Sequence, residues 1–209
     1  NYGITQSGTT ARVYNHYPDH PDRQDERALA TAMDGEIWFS VLVNIPAGGD
    51  FIGLSFNNNS GNAYAHVNSD LRVLMTPTQL QVSFDGGGMM AGASTFAAAT
   101  THLLLGQMNV VTGNDTLNVW VDPDLTAVSD PGDLPAAEFT STTVDFADSI
   151  VEVGVPGDDA GITISLDAIW LSDRSTAFVD VTGASGPDVT APTVSALSPT
   201  NGATSVAVD

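Results

Sequence analysis

Three aspartates in one short loop are the residues whose type and spacing best fit a chemical role. Asp122, Asp124 and Asp130 lie in the proline-containing segment 122–135. Carboxylate oxygens two residues apart in a loop are ligands that Ca²⁺ accepts. Aspartates beside prolines are also typical of turns, where they hydrogen-bond the nearby backbone. The segment therefore predicts either a calcium site or a loop whose acids close turns, and the pattern favours the second.

Aromatic and amide side chains would serve a second kind of chemistry, the binding of sugars. Aromatic rings stack on sugar rings, while polar side chains hydrogen-bond the hydroxyl groups. Trp120 lies on the face of its strand opposite Leu117 and Val119, so it either faces outward or packs under another layer or a loop. Trp38 and Trp170 lie within long apolar strands and are predicted to be core residues. Further candidate ligand-binding residues, on loops and strand ends, are Asn57, Asn59, Tyr64 and Arg72.

Residues for catalysis are not found at the required spacing. No two of the four glutamates have the E-x-D-x-x-E spacing that places an acid and a nucleophile on one strand face of β-sandwich glycoside hydrolases. A polysaccharide lyase needs a cluster of cations, but the chain has no lysine and five scattered arginines. No nucleophile-elbow motif is present. We therefore predict a protein that is not an enzyme, with glycoside hydrolase or polysaccharide lyase as the less favoured alternative.

The charge balance narrows the range of partners. Twenty-five acidic residues face five arginines, which gives a net charge of −20. Binding to nucleic acid or to an anionic membrane surface needs cations, so neither is expected. The apolar runs, such as 37–43, are too short to cross a bilayer, so no membrane insertion is expected. The chain lacks cysteine, and its 42% hydrophobic residues are sufficient for a core without disulfides.

The elements that must position these residues are β-strands. Apolar segments recur about every 8–12 residues with turn residues between them, which is typical of an antiparallel sandwich. The clearest is a hairpin over 101–124, with its tight turn at 112–115. Other strands are predicted at 11–14, 36–45, 51–56, 63–67, 71–75, 79–85, 150–155 and 162–171, and a short apolar segment at 178–181 closes the unit. Segment 16–26 is predicted to be a loop, and 28–33 has the composition of one helical turn.

Three segments together resemble a known family. They are GEIWFSVLVNI with FIGLSF after it, the hairpin THLLLGQMNVVTGNDTLNVWVDPDL, and the ending ITISLDAIWLSDRSTAFVDVTG. They resemble the concanavalin A-like (LamG-like) jelly-roll domains of large secreted or surface-anchored bacterial proteins. The resemblance implies an all-β antiparallel two-sheet β-sandwich with little helix. It also implies a structural Ca²⁺ held by an aspartate near the start of the last long strand, which Asp167 matches.

The resemblance also implies a setting and a function. We expect a non-catalytic carbohydrate-binding module, located outside the cell or on the bacterial surface, with a polysaccharide or glycan as partner. The alternative is a structural or adhesive module. The family's usual N-terminal strand is missing here, so an open sheet edge would permit self-association.

The last residues resemble a second family. APTVSALSPTNGATSVAVD is similar to the first strand of bacterial immunoglobulin-like repeats. We therefore predict a sandwich over 1–182, a linker over 183–191 and the truncated start of an immunoglobulin-like domain over 192–209. The chain does not begin with a signal peptide, so we expect it to start after processing or to be a piece of a longer protein.

Overall fold

The computed structural model describes residues 11–13, 23–58, 69–85, 87–158 and 164–183, and the account below concerns these residues. They form two antiparallel sheets of six strands each. Buried side chains from both sheets make up one hydrophobic cluster, and Phe39 of one sheet lies against Phe56 of the other, with ring centroids 5.0 Å apart. The predicted fold class, an all-β antiparallel two-sheet sandwich, is therefore confirmed.

Each sheet combines strands from distant parts of the chain. In spatial order, sheet one consists of β1 (Ala11–Val13), β12 (Ile164–Ser172), β3 (Gly35–Asn44), β8 (Thr101–Val110), β9 (Asp115–Val121) and β10 (Phe139–Val144). Sheet two consists of β2 (Arg23–Met33), β11 (Ile150–Asp158), β4 (Phe51–Asn57), β5 (Leu71–Met75), β6 (Gln79–Phe84) and β7 (Met90–Thr95). Repeated crossing between two packed sheets is typical of jelly rolls.

Two predictions are wrong, the helical turn at 28–33 and the C-terminal part of the loop at 16–26. Residues 28–33 belong to strand β2 and not to a helical turn, and β2 extends back into the predicted loop at 16–26 as far as Arg23. Strand β2 pairs with β11 along most of its length, which satisfies backbone groups that one isolated helical turn leaves unpaired. The closing segment 178–181 lies in a helix, α1 (Ala177–Thr182), which ends at Gly183 in the left-handed conformation with φ of 66°.

The inner core lies between the sheets and follows the period of two expected for strands. Strand β3 contributes Ile37, Phe39, Val41 and Val43, and β4 contributes Ile52, Leu54 and Phe56, all essentially fully buried. Gly106 of β8 lies opposite Phe39, and a Cβ at that position would overlap the Phe39 ring. The Phe39 ring therefore covers the backbone of the central hairpin strand.

A second hydrophobic cluster lies on the other side of sheet one, on the face turned away from sheet two. This outer cluster contains Trp38, Leu105 and Trp120 from the sheet and Ala177, Phe178 and Val181 from α1. Side chains of the loop after β9, including Leu125 and Leu134, pack on it as well. Both faces of sheet one are therefore covered in its centre. In the part of the chain described, no helix is long and apolar enough to cross a membrane.

Candidate functional site

The loop that follows β9 does not gather its aspartates into a metal site. Among the described residues, no three His, Asp or Glu side chains come together in a way that could hold a metal ion. Asp122 instead accepts hydrogen bonds from the backbone N–H of Leu103 at 2.8 Å and from His102. The calcium hypothesis for Asp122, Asp124 and Asp130 as one set is thus not supported, because each of the three carboxylates accepts hydrogen bonds from different residues.

The remaining acids of this loop close turns, which is the interpretation that the sequence favoured. Asp124 accepts from the backbone N–H and the hydroxyl of Thr126 at 3.0 and 2.7 Å, and these bonds lower the pKa of Asp124. Asp130 caps the short 3₁₀ helix Pro131–Asp133 by accepting from the N–H of Gly132 at 2.8 Å. Bonds from Ser129 and from the N–H of Asp130 lower the pKa of Asp133. These carboxylates therefore organise the backbone of the loop.

Asp115 is a buried carboxylate that the sequence analysis did not single out. It begins β9 and is fully buried. One oxygen accepts from the N–H of Val111 at 2.9 Å, and the other from the N–H groups of Phe146 and Ala147 at 2.8 and 3.1 Å. The carboxylate joins the hairpin turn to the segment that leads into β11. Its place directly after a Gly-Asn turn was the signal for a structural role.

His102 holds the start of the same loop. Its Nδ1 lies 2.6 Å from Oδ2 of Asp122, and its Nε2 lies 3.0 Å from the carbonyl oxygen of Ala97. Both ring nitrogens thus face acceptors, and only the imidazolium form can donate to both. Burial lowers the pKa of His102, but the hydrogen bonds to Asp122 and Ala97 and the Asp122 charge outweigh burial, so the pKa is raised. Asp122 itself has a φ of 49°, a strained conformation that these bonds help to hold.

This histidine–aspartate pair is not arranged as part of a catalytic triad. In a triad the second ring nitrogen faces a serine hydroxyl. Here that nitrogen is bonded to the backbone carbonyl of Ala97, and His102 is buried beside the ring of Phe96, with centroids 5.5 Å apart. The pair therefore fixes two loops against β8.

Trp120 is buried, so of the two alternatives left open by the sequence, the one in which it faces outward to stack on a sugar is wrong. It is 7% exposed and stacks on Trp38, with ring centroids 5.8 Å apart and planes 12° apart. Its indole N–H donates to the carbonyl oxygen of Pro135 at 2.7 Å. The loop after β9 covers this face, which is the other alternative that the sequence left open. Trp38 is a core residue, as predicted.

Trp170 is the exposed tryptophan, and its prediction as a core residue is wrong. It is 53% exposed. Strand β12 pairs regularly with β3 except for a register shift between Asp167 and Trp170, where Ala168 has a φ of 51°. This bulge inserts one residue, so Ile169 and Leu171 pack on the inner core and Trp170 turns to the outer face. Simple alternation from the buried Leu166 would have pointed Trp170 inward.

Two of the other predicted ligand-binding residues, Asn57 and Arg72, do not join Trp170. Asn57 and Arg72 lie on sheet two and are 4% and 6% exposed, so neither is at a surface. Asn57 donates to Glu152 at 3.2 Å, and Arg72 donates to the hydroxyl of Ser83 at 2.7 Å. Burial lowers the pKa of Arg72. Asn59, Tyr64 and the side chain of Asp167 lie outside the described residues, as do the predicted linker from residue 184 onward and the immunoglobulin-like segment.

The three bonds to Asp115 predict a large effect of a small change. In Asp115→Asn, an amide N–H₂ replaces one of the two carboxylate oxygens. The backbone N–H groups that donate to that oxygen then face another donor. We expect Asp115→Asn to lower the free energy of unfolding by about 2 kcal/mol or more, since buried donors lose a charged acceptor. Urea unfolding measures this, and the exposed Asp148→Asn is the matched control. Equal stabilities of the two variants would contradict the role given to Asp115.

The His102 pair predicts a pH dependence. Because the folded pKa of His102 is raised above its ordinary value, its stabilising contribution is complete below about pH 6.5 and disappears as the pH rises through the folded pKa. The difference in unfolding free energy between the wild type and His102→Gln should therefore shrink from about pH 6 towards pH 8. The other three histidines are common to both proteins and cancel in the difference. A difference that grows with pH would show that the sign is wrong.

Comparison with known proteins finds weak similarity to solved structures. No family model matches the chain, and no curated protein does. Among solved structures, the chain is similar to the homodimeric agglutinin CG-16 from chicken liver, with 12% identity, a TM-score of 0.43 and coverage of 72% of this chain and 100% of that one. A tetrameric galectin from the ball sponge Cinachyrella has 11% identity and a TM-score of 0.46, with coverage of 72% and 98%. Identities and TM-scores this low assign neither a family nor a ligand to this chain.

Proposed function

We propose that this protein is a non-catalytic carbohydrate-binding module and that Trp170 is its sugar-stacking platform. The observation that carries the proposal is the 53% exposure of this tryptophan on strand β12, where the bulge turns it to the outer face. Large aromatic side chains are normally buried, as Trp38 and Trp120 are in the outer cluster. An indole face on a rigid strand offers a flat apolar surface, which is what the C–H face of a pyranose ring packs against.

The surroundings of Trp170 favour a preorganised site. Its neighbours in the strand, Ile169 and Leu171, are anchored in the inner core. On the outer face, Ser172 donates to Asp180 of α1 at 2.7 Å and Ser40 donates to the carbonyl of Val181 at 2.8 Å. These bonds fix α1 beside the strand. A ring held on such a support loses little freedom when a ligand binds.

The glutamates support a non-catalytic function. Glycosidase carboxylates face each other across a substrate. Glu36 on β3 accepts from Trp38 and Gln107, Glu138 accepts from Ser94, and Glu152 accepts from Asn57. These three carboxylates are bonded in different parts of the structure, Glu36 on β3, Glu138 directly before β10 and Glu152 on β11.

The setting of the module is also part of the proposal. The family resemblance and the predicted immunoglobulin-like segment favour a multidomain protein outside the cell or on its surface. Self-association through an open sheet edge stays a prediction. Where β7 and β10 meet, the edges are bridged, because the N–H of Ala93 donates to the carbonyl of Glu138 at 3.2 Å and the hydroxyl of Ser94 donates to the Glu138 carboxylate at 3.0 Å.

Removing the indole tests the proposal. We expect Trp170→Ala to weaken polysaccharide binding by about tenfold or more, since the stacking surface is lost. Affinity electrophoresis and titration calorimetry over a panel of soluble polysaccharides provide the measurement. Val179→Ala, which removes another exposed apolar side chain, is the matched control and should bind like the wild type. If the wild type binds no polysaccharide in the panel, the proposal fails.

Calcium at Asp167 stays a prediction that the resemblance implies. If an ion binds there, a chelator should lower the melting temperature of the wild type, because the ion stabilises only the folded state. Asp167→Asn should be insensitive to the chelator, and Asp148→Asn should respond as the wild type does. An identical melting temperature of the wild type with and without chelator would contradict the site.

A further inference from the structure

Four polar side chains form a continuous row across the outer face of sheet one. They are Glu36 on β3, Gln107 on β8, Asn118 on β9 and Thr140 on β10, and they are exposed or half-buried. We name them the polar row. It lies beside the outer cluster, because Gln107 is the cross-strand partner of Trp38.

The hydrogen bonds of the polar row all run in one direction. Thr140 donates to Oδ1 of Asn118 at 3.1 Å, and Asn118 donates to Oε1 of Gln107 at 3.2 Å. Gln107 in turn donates to Oε1 of Glu36 at 2.9 Å, and the same oxygen accepts from the indole N–H of Trp38 at 2.7 Å. This series of hydrogen bonds, the relay, thus ends on the Glu36 carboxylate, which the buried Trp38 fixes in place. Chains of hydrogen bonds with one direction strengthen each other.

The relay leaves the row with ordered donors and acceptors for a ligand. Each of the two amides uses one N–H within the row and has a second N–H, while Glu36 has a second carboxylate oxygen. Neighbouring strands are about 4.8 Å apart, so four strands spread these groups over about 14 Å. An extended chain of sugar rings carries hydroxyl groups on this scale. Because the amides are already oriented, binding would cost little side-chain entropy.

The charges select the class of glycan. The polar row contains no cation, its one charged member is Glu36, and the whole chain carries −20. Sulfate, phosphate and uronate groups would be repelled, whereas hydroxyl groups can both donate to Glu36 and accept from the amides. We propose that the polar row is a second subsite, which binds the hydroxyl groups of an uncharged, extended glycan. This inference rests on the carbohydrate-binding function proposed above.

Two kinds of variant test the polar row. Asn118→Ala breaks the relay in the middle, and Thr140→Val removes its first donor while keeping the side-chain shape on an edge strand. We expect each to weaken binding of a neutral polysaccharide by about 3- to 10-fold. Asn114→Ala, in the exposed hairpin turn, is the matched control and should bind like the wild type. Circular dichroism and melting temperature confirm that each variant is folded.

Two pairs of polymers test the charge selection. A soluble neutral β-1,4-glucan and a soluble neutral β-1,3-glucan are each compared with their carboxymethylated forms by titration calorimetry. We expect the neutral form to bind at least about tenfold more tightly in low salt, with a smaller gap at high salt, because salt screens repulsion. Equal or tighter binding of the anionic forms would overturn the inference.

The outcomes also separate this inference from the proposed function. If the wild type binds and Trp170→Ala weakens binding while Asn118→Ala and Thr140→Val do not, the polar row is not a subsite and the function stands. If only the row variants weaken binding, the polar row is a site and the stacking role of Trp170 fails. If the wild type binds none of the four polymers nor any polysaccharide in the wider panel, both proposals fail.

Discussion

The buried carboxylate of Asp115 is the interaction on which the centre of the sandwich depends. A buried charge is costly unless hydrogen bonds compensate it, and here three backbone N–H groups do so. They come from the hairpin turn and from the segment before β11. The carboxylate therefore fixes the register of β8 and β9 in sheet one and also the entry of the chain into sheet two. Both hydrophobic clusters rest on this hairpin, since Leu117 faces the inner core and Trp120 faces the outer cluster.

A sheet that is apolar on both faces in its centre must be covered on both. Sheet two covers the inner face of sheet one, while α1 and the loop after β9 cover the outer face. This requirement explains the acids of that loop: a segment with few apolar side chains needs local bonds to hold one shape, and its aspartates provide them. It also explains which parts of the outer face a ligand can reach. The area covered by α1 and the loop ends at the polar row on one side and at Trp170 on the other.

Apolar segments bounded by turn residues were sufficient to predict most strands, but not which face each residue takes. Segments such as 36–45 and 71–75 are apolar, bounded by turn residues, and correspond closely to β3 and β5. For Trp120 the sequence left two alternatives, because a face opposite a buried face points either to solvent or to another layer. The choice between them depends on α1, which is distant in sequence, and on the loop after β9, because these two segments cover the ring. For Trp170 the alternation itself was misleading, since the amino-acid sequence around Ala168 contains no signal for the β-bulge.

The bulge at Ala168 can be weighed as a balance of packing against strain. A left-handed conformation at a non-glycine residue costs about 1–2 kcal/mol. Without the bulge, Ala168 and Trp170 would face the inner core, and Ile169 and Leu171 would face outward. Fully burying a branched aliphatic side chain contributes about 1.5–3 kcal/mol, so the partial burial of Ile169 and Leu171 together is on the order of the cost of the strained residue. Packing therefore offsets the strain, and the exposed indole is held outward by the residues on either side of it. An aromatic ring kept at a surface by the core beneath it has the rigidity that a binding platform requires.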